Sequence, residues 1–280
     1  MIFDTHAHVN FVDFKDDHEE VLKRAREKDV VVINVGSQIS TSERAVVFAE
    51  KFPKTFAAVG LHPVHLQSFE VKEEGMSFQS RAEEFDVDAY ELLAAKKQTV
   101  AIGECGLDYF HIDLNGDLEA IKEKQKQVLN QQIDLASKYE LPLIFHCRGS
   151  KMNPKDAYKD LIRELKKNLP KKRGVIHCFG SDWPVAEEFL ELGFYLGFTG
   201  VITFDKTGKL AEVVRNIPEA QMLSETDCPY LTPEPYRGKR NEPIYVEYVV
   251  QKIAELRNMP YEQAAEITGR NAKNLFGIVV

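Results

Sequence analysis

The stretch LEAIKEKQKQVLNQQIDLASKYELPLIFHC (residues 118–147) reads as a helix running straight into a strand. Within 118–139, Val128 with Leu135, Leu129 with Ala136, and Tyr139 recur on one face at helical spacing. LPLIFHC (141–147) is then apolar until its last residues, the pattern of a strand covered on both faces that ends at a polar site. The same kind of run appears on either side. TVAIGE (99–104), FAAVGLH (56–62), VVVINVG (30–36) and IFDTHAHV (2–9) precede it; GVIHCF (174–179), FYLGFTG (194–200) and MLSETD (222–227) follow. Alternation of apolar strands with helical segments implies a parallel sheet, and eight such units in 280 residues predict an α/β fold, a closed (β/α)₈ TIM barrel forming a single domain over 1–280. An open doubly wound sheet is the alternative. No linker or low-complexity tract divides the chain. The charged segment 64–98 and the basic run KNLPKKR (167–173) read as solvated surface.

Hydrophobic residues at 44% and charged residues at 29% describe a chain able to bury a substantial core. The opening MIFDTHAHVN lacks a basic region followed by an apolar one, and no run approaches the roughly 18 apolar residues of a membrane span. Membrane association is therefore not expected. Four cysteines without a C-x-x-C pair argue against a disulfide framework or zinc ribbon and fit a reducing, cytoplasmic setting. A net charge of −8 opposes a general basic grip on nucleic acid, so any phosphate recognition must be local, helped by bound cations.

His6 and His8, two apart on the first strand, project to one side and can reach a single metal. H-x-H alone is a weak signal, because ordinary histidine pairs are common. Context strengthens it: Glu104, His146, His177 and Asp227 stand at the ends of the fourth, fifth, sixth and eighth runs. In a barrel those carboxyl ends converge on one mouth, and six imidazole and carboxylate groups there suit two divalent ions such as Zn²⁺, Mg²⁺ or Mn²⁺. Glu104, with two oxygens, is expected to bridge the ions, with His6, His8 and Asp227 on one and His146 and His177 on the other. Cys105, Cys147, Cys178 and Cys228 each follow a candidate ligand directly, so strand alternation should turn them away from the metals as small buried hydrophobes.

FDTHAH, GLHP (60–63), IGECGLDY (102–109), LPLIFHCR (141–148), IHCFGS (176–181), SETDCPYLTP (224–233), RGKRNEP (237–243) and NAKNLF (271–276) occur in an order that resembles the TatD family of metal-dependent deoxyribonucleases, relatives of the amidohydrolase barrels. The resemblance spans nearly the whole chain. It implies two divalent ions and hydrolysis of DNA phosphodiester bonds, and it points to Asp108, Tyr109, Arg237 and Asn241 as substrate-binding residues beside His62 and Arg148. Cys105 replaces a threonine frequent in the family's GETGLDY segment, and the connection over 66–98 is comparatively long, which leaves substrate choice open.

Two ions about 3.5–4 Å apart can activate a water and stabilise both oxygens of a phosphoryl displacement. Asp227 is expected to orient that water and accept its proton, with Glu104 the other catalytic carboxylate. A funnel-shaped mouth suits a single strand or frayed end, hence exonuclease action, with DNA as the partner and no obligate protein partner evident. The nearest rival is a hydrolase of another ester or amide, for example an aminoacyl-tRNA ester; the lack of a lysine at the Glu104 strand end speaks against the carbamylated-lysine amidohydrolases. A non-catalytic nucleic-acid-binding protein fits less well, because all six ligand positions are intact and no basic face is visible.

Overall fold

Strands β1 (Ile2–Ala7), β2 (Val30–Val35) and β3 (Thr55–Val59) begin a sheet in the computed structural model, which describes residues 1–68, 70–73, 76–80, 82–113 and 116–280. A short antiparallel hairpin, β4 (Glu70–Glu73) with β5 (Met76–Gln79), stands apart from it. The sheet continues through β6 (Thr99–Asp108), β7 (Leu143–Arg148), β8 (Val175–Ile176), β9 (Tyr195–Phe198) and β10 (Met222–Ser224), giving eight strands whose neighbours are all parallel. Backbone bonds from His8 N to Cys228 O and from Asp227 N to His6 O, both 2.8 Å, join the last strand's extension to the first. The sheet thereby closes into a (β/α)₈ barrel of the expected class.

Helices alternate with these strands: α1 (His18–Glu27), α2 (Ile39–Lys51), α3 (Val87–Ala94), α4 (Leu118–Tyr139), α5 (Asp156–Lys167), α6 (Trp183–Glu191), α7 (Val201–Phe204) and α8 (Lys209–Asn216), with α9 (Val246–Arg257) and α10 (Tyr261–Phe276) after β10. The alternation of side chains along β2 shows the two layers. Val30 and Val32 pack outward with Leu22 and Ala25 of α1, whereas Val31, Ile33 and Val35 join Phe3, Ala58, Ala101, Ile144, Val175 and Leu223 inside the barrel. Ala272, Leu275 and Phe276 of α10 belong to the inner cluster, and Asn271 Nδ2 donates to Glu219 O and Met222 O before and at the start of β10. Helix α10 thus plugs the amino-terminal end, leaving the carboxyl end as the mouth.

Helix α4 begins where Asp117 caps it by accepting from Ala120 N at 3.1 Å, and its buried face carries two glutamines among the apolar residues. Gln132 pairs with both backbone groups of Leu61 (2.9 and 3.0 Å), and Gln125 with both of Asp108 (2.9 and 2.8 Å). These side chains satisfy backbone groups at the ends of two strands, which keeps both in place beside the site. Two segments differ from the sequence expectation. Residues 64–98 are not simply solvated: Phe85 and Tyr90 are buried in the core, with Tyr90 Oη donating to Gly60 O at 3.1 Å. The fourth large-sheet strand also runs four residues beyond Glu104. It stays paired because Gly106, at φ +142°, passes so near β7 that a Cβ would lie 1.9 Å from the His146 carbonyl oxygen. No helix among the described residues is long and apolar enough to cross a membrane.

Candidate metal centre

His6 lies in β1 and His8 just after it, and their Nε2 atoms approach to 3.1 Å. His8 Nδ1 sits 2.9 Å from the Val35 carbonyl, which can only accept, so a proton is held on Nδ1 and Nε2 is the nitrogen turned to the site. Around this pair stand Glu104 Oε2, 3.5 Å from His6 Nε2 and 3.8 Å from His8 Nε2, and Asp227 Oδ1, 3.7 and 3.3 Å from the same atoms. The two nitrogens lie 3.1 Å from each other and 3.3–3.8 Å from the two carboxylate oxygens, near the roughly 3.3 Å ligand-to-ligand spacing of a tetrahedral site with bonds of about 2.0–2.1 Å. The donor set fits a divalent cation.

The other oxygen of Glu104 faces a second group. Oε1 lies 3.1 Å from His146 Nδ1, 3.1 Å from His177 Nε2 and 3.4 Å from His62 Nε2. His62, expected to contact substrate, stands among these donors because the chain after β3 turns inward: its Nδ1 accepts from Val64 N at 3.1 Å, fixing the ring. The two donor groups therefore share one buried carboxylate, and each of the six residues proposed from sequence as ligands belongs to one or the other.

Burial alone would push the Glu104 carboxyl up, but the His62 and His177 charges and hydrogen bonds from His146 and His177 bring it well below its ordinary value. Asp227 is shifted down in the same manner, against its burial, by its hydrogen bond with His8 and the neighbouring His177 and His6. Burial disfavours the charged form of His146, yet Asp108 and Glu104 outweigh it and raise the ring to about 9. His177 is likewise raised against its burial, chiefly by Glu104. His6 is lowered by burial and by His177, on which it stacks with 3.8 Å between ring centres. In the absence of metal the site thus keeps protons on the rings nearest Glu104 Oε1, the positive charge that a cation would replace.

The residues expected at the substrate separate into two sets. Arg148, half-buried, lies over the Phe110 ring at 3.9 Å, and exposed Arg237 lies over Phe204 at 3.9 Å; both stand at the rim, on segments that follow or end strands. Asp108, Tyr109 and Asn241 are not at the mouth surface. The Asp108 carboxylate is occupied by protein, accepting from Phe110 N and His111 N at 2.9 Å and lying 2.8 Å from His111 Nδ1 and 3.2 Å from His146 Nε2. Tyr109 falls on the opposite side of the strand line, its hydroxyl donating to Asp160 of α5 at 2.9 Å under Lys122 of α4. Asn241 is buried and donates to Thr226 O and Tyr230 O, bracing the loop that carries Asp227.

Cys105, Cys147 and Cys228 pack in the outer core, as strand alternation required, and Cys178 is half-buried with Sγ 3.4 Å from Thr199 Oγ1. None belongs to a possible metal-holding group among the described residues. Glu225, which the sequence reading passed over, is completely buried beneath the site with Oε1 3.3 Å from His177 Nδ1.

Residues 3–277 match the family model described as TatD related DNase. The chain is 42% identical over 280 residues to YabD of Bacillus subtilis (strain 168), described as an uncharacterized metal-dependent hydrolase, with 99% of this chain and 100% of that one covered. It is 33% identical over 285 residues to the protein named 3'-5' ssDNA/RNA exonuclease TatD of Erwinia tasmaniensis, covering 99% and 100%. The crystal structure of YjjV, a TatD homolog from Escherichia coli K12, superposes with a TM-score of 0.82 at 30% identity over 99% of this chain and 98% of that one.

Proposed function

Because the chain belongs to the TatD related DNase family of metal-dependent hydrolases, we propose that it is a two-cation exonuclease cleaving DNA phosphodiester bonds from single-stranded or frayed ends. The observation that carries this is the division of Glu104, one oxygen toward His6 and His8 and the other toward His146 and His177. His6, His8 and Asp227 would hold one cation and His146 and His177, with His62 beside them, the other. Two such cations, when bound, lower the pKa of water and neutralise charge on the phosphoryl oxygens.

The protein's own groups supply the remainder. Asp227, held deprotonated, orients the attacking water and accepts its proton at Oδ2, the oxygen left over when Oδ1 faces the cation with His6 and His8. Arg148, resting over Phe110, and Arg237, resting over Phe204 with one N–H on Thr232 O, would offer guanidinium N–H groups to phosphates flanking the scissile one. Such local charge reconciles phosphate binding with a net charge of −8. A strand end reaches a recessed mouth more readily than a continuous duplex does, and the relative named as an ssDNA/RNA exonuclease supports that choice. The unpaired cysteines fit the same enzyme working in a reducing cytoplasm.

Metal-stripped protein, supplied with Mg²⁺, Mn²⁺ or Zn²⁺ in turn, should release mononucleotides from end-labelled single-stranded DNA and leave closed circular duplex intact. Asp227→Asn should abolish the release. Intact DNA under every ion would remove the nuclease reading and leave another ester, such as an aminoacyl ester, as the substrate.

A further inference from the structure

Glu225 is the one carboxylate of the SETD segment for which the proposed chemistry has no use, yet it is completely buried. A buried carboxylate is costly unless it is paired and hydrogen-bonded. Its Oε1 accepts from Cys178 N at 2.5 Å and lies 3.3 Å from His177 Nδ1, and its Oε2 receives the Thr5 hydroxyl at 3.4 Å. The ion-pair contact found for it among the described residues is this one with His177. The fold also makes deliberate room for it: a Cβ on Gly197 of β9 would lie 2.3 Å from Glu225 Oε2. His146, the other ring on Glu104 Oε1, has the same arrangement, with Glu104 at one nitrogen and the buried Asp108 carboxylate 3.2 Å from the other.

From this geometry we infer that Glu225 is a positioning residue, which holds the His177 ring by Nδ1 so that Nε2 is presented to the cation shared with Glu104. The physical reason is tautomeric. A neutral imidazole can offer Nε2 as a ligand only if its proton sits on Nδ1, and in a buried site that N–H needs an acceptor. Glu225 Oε1, 3.3 Å away, is within reach as that acceptor; in this structure Nδ1 makes no hydrogen bond among the described residues, so a small turn of the ring onto the carboxylate, itself held by Cys178 N and Thr5, completes the contact when the cation binds. Gly197 sets its depth. The inference rests on the two-cation reading but not on the substrate.

The test titrates metal-stripped protein with Zn²⁺ alone, comparing wild type with Glu225→Gln, which keeps the shape and removes the charge, and Gly197→Ala, which keeps the carboxylate and displaces it. Both variants should bind one ion as wild type does and the other about 10–100-fold more weakly. Wild-type affinity at both positions in both variants, or equal weakening of both ions, would overturn the proposal, since Glu225 would then serve the fold alone. Should either variant fail to fold, ring ¹H–¹⁵N spectra of the zinc-loaded wild type decide the matter. His177 protonated at Nδ1 supports the proposal, and His177 protonated at Nε2 refutes it. Two bound ions without nuclease activity would leave this inference standing while the substrate assignment falls.

Discussion

Stripping metal from the protein should make its stability fall as pH rises from 6.5 to about 9, the span between the ordinary histidine value and that of His146 in the fold. The ring lies between two buried carboxylates, Glu104 Oε1 at 3.1 Å and Asp108 Oδ2 at 3.2 Å, and they hold a proton that the unfolded chain releases near 6.5. The contribution is complete below the unfolded value and is lost as pH climbs through the folded one. At 1.36 kcal/mol per unit, the shift corresponds to about 3 kcal/mol for His146. His177, shifted the same way, adds to it, whereas His6 and His62, shifted down by burial, act at lower pH. Urea unfolding in the presence of a chelator at several values across this window measures the slope directly. Because a cation takes the place of the proton, metal affinity should rise over the same window. Metal-free stability that stays level or increases with pH would refute the electrostatic account of the centre.

Tyr109→Phe removes a hydroxyl bonded to Asp160 and should cost about 1 kcal/mol of stability while leaving kcat/KM on an oligonucleotide unchanged. A tenfold kinetic loss would return Tyr109 to the substrate. Gln132→Leu strands both backbone groups of Leu61 beside His62, so the urea midpoint should drop by an amount equivalent to about 2–5 kcal/mol. A change below about 1 kcal/mol would show that water or a shifted chain satisfies them.

The barrel was legible because its strands are apolar runs closed off by polar residues, and the six donor residues because those ends must meet at one mouth. Helix 118–139 was legible to its boundaries, with Asp117 at the start and Glu140 in a left-handed conformation at the end. The contents of 64–98 were not, because the isolated aromatics Phe85 and Tyr90 show no period that distinguishes a core contact from an exposed one. Motif position also did not give side-chain direction. Asp108 and Tyr109 are adjacent, so alternation sends one toward His146 and the other toward α5, the same rule that correctly turned Cys105 and Cys147 outward. Glu225 went unread because an acidic residue two before Asp227 has no sequence mark of burial; its only trace is Gly197, which matters once strands β9 and β10 lie side by side.

The bridging role of Glu104 is tested most directly by anomalous diffraction from crystals soaked in Zn²⁺ or Mn²⁺. Two peaks about 3.5–4 Å apart are expected, one beside Glu104 Oε2 with His6, His8 and Asp227, the other beside Glu104 Oε1 with His146 and His177. A single peak under saturating metal, or two peaks that both lie on one side of the Glu104 carboxylate, would contradict it.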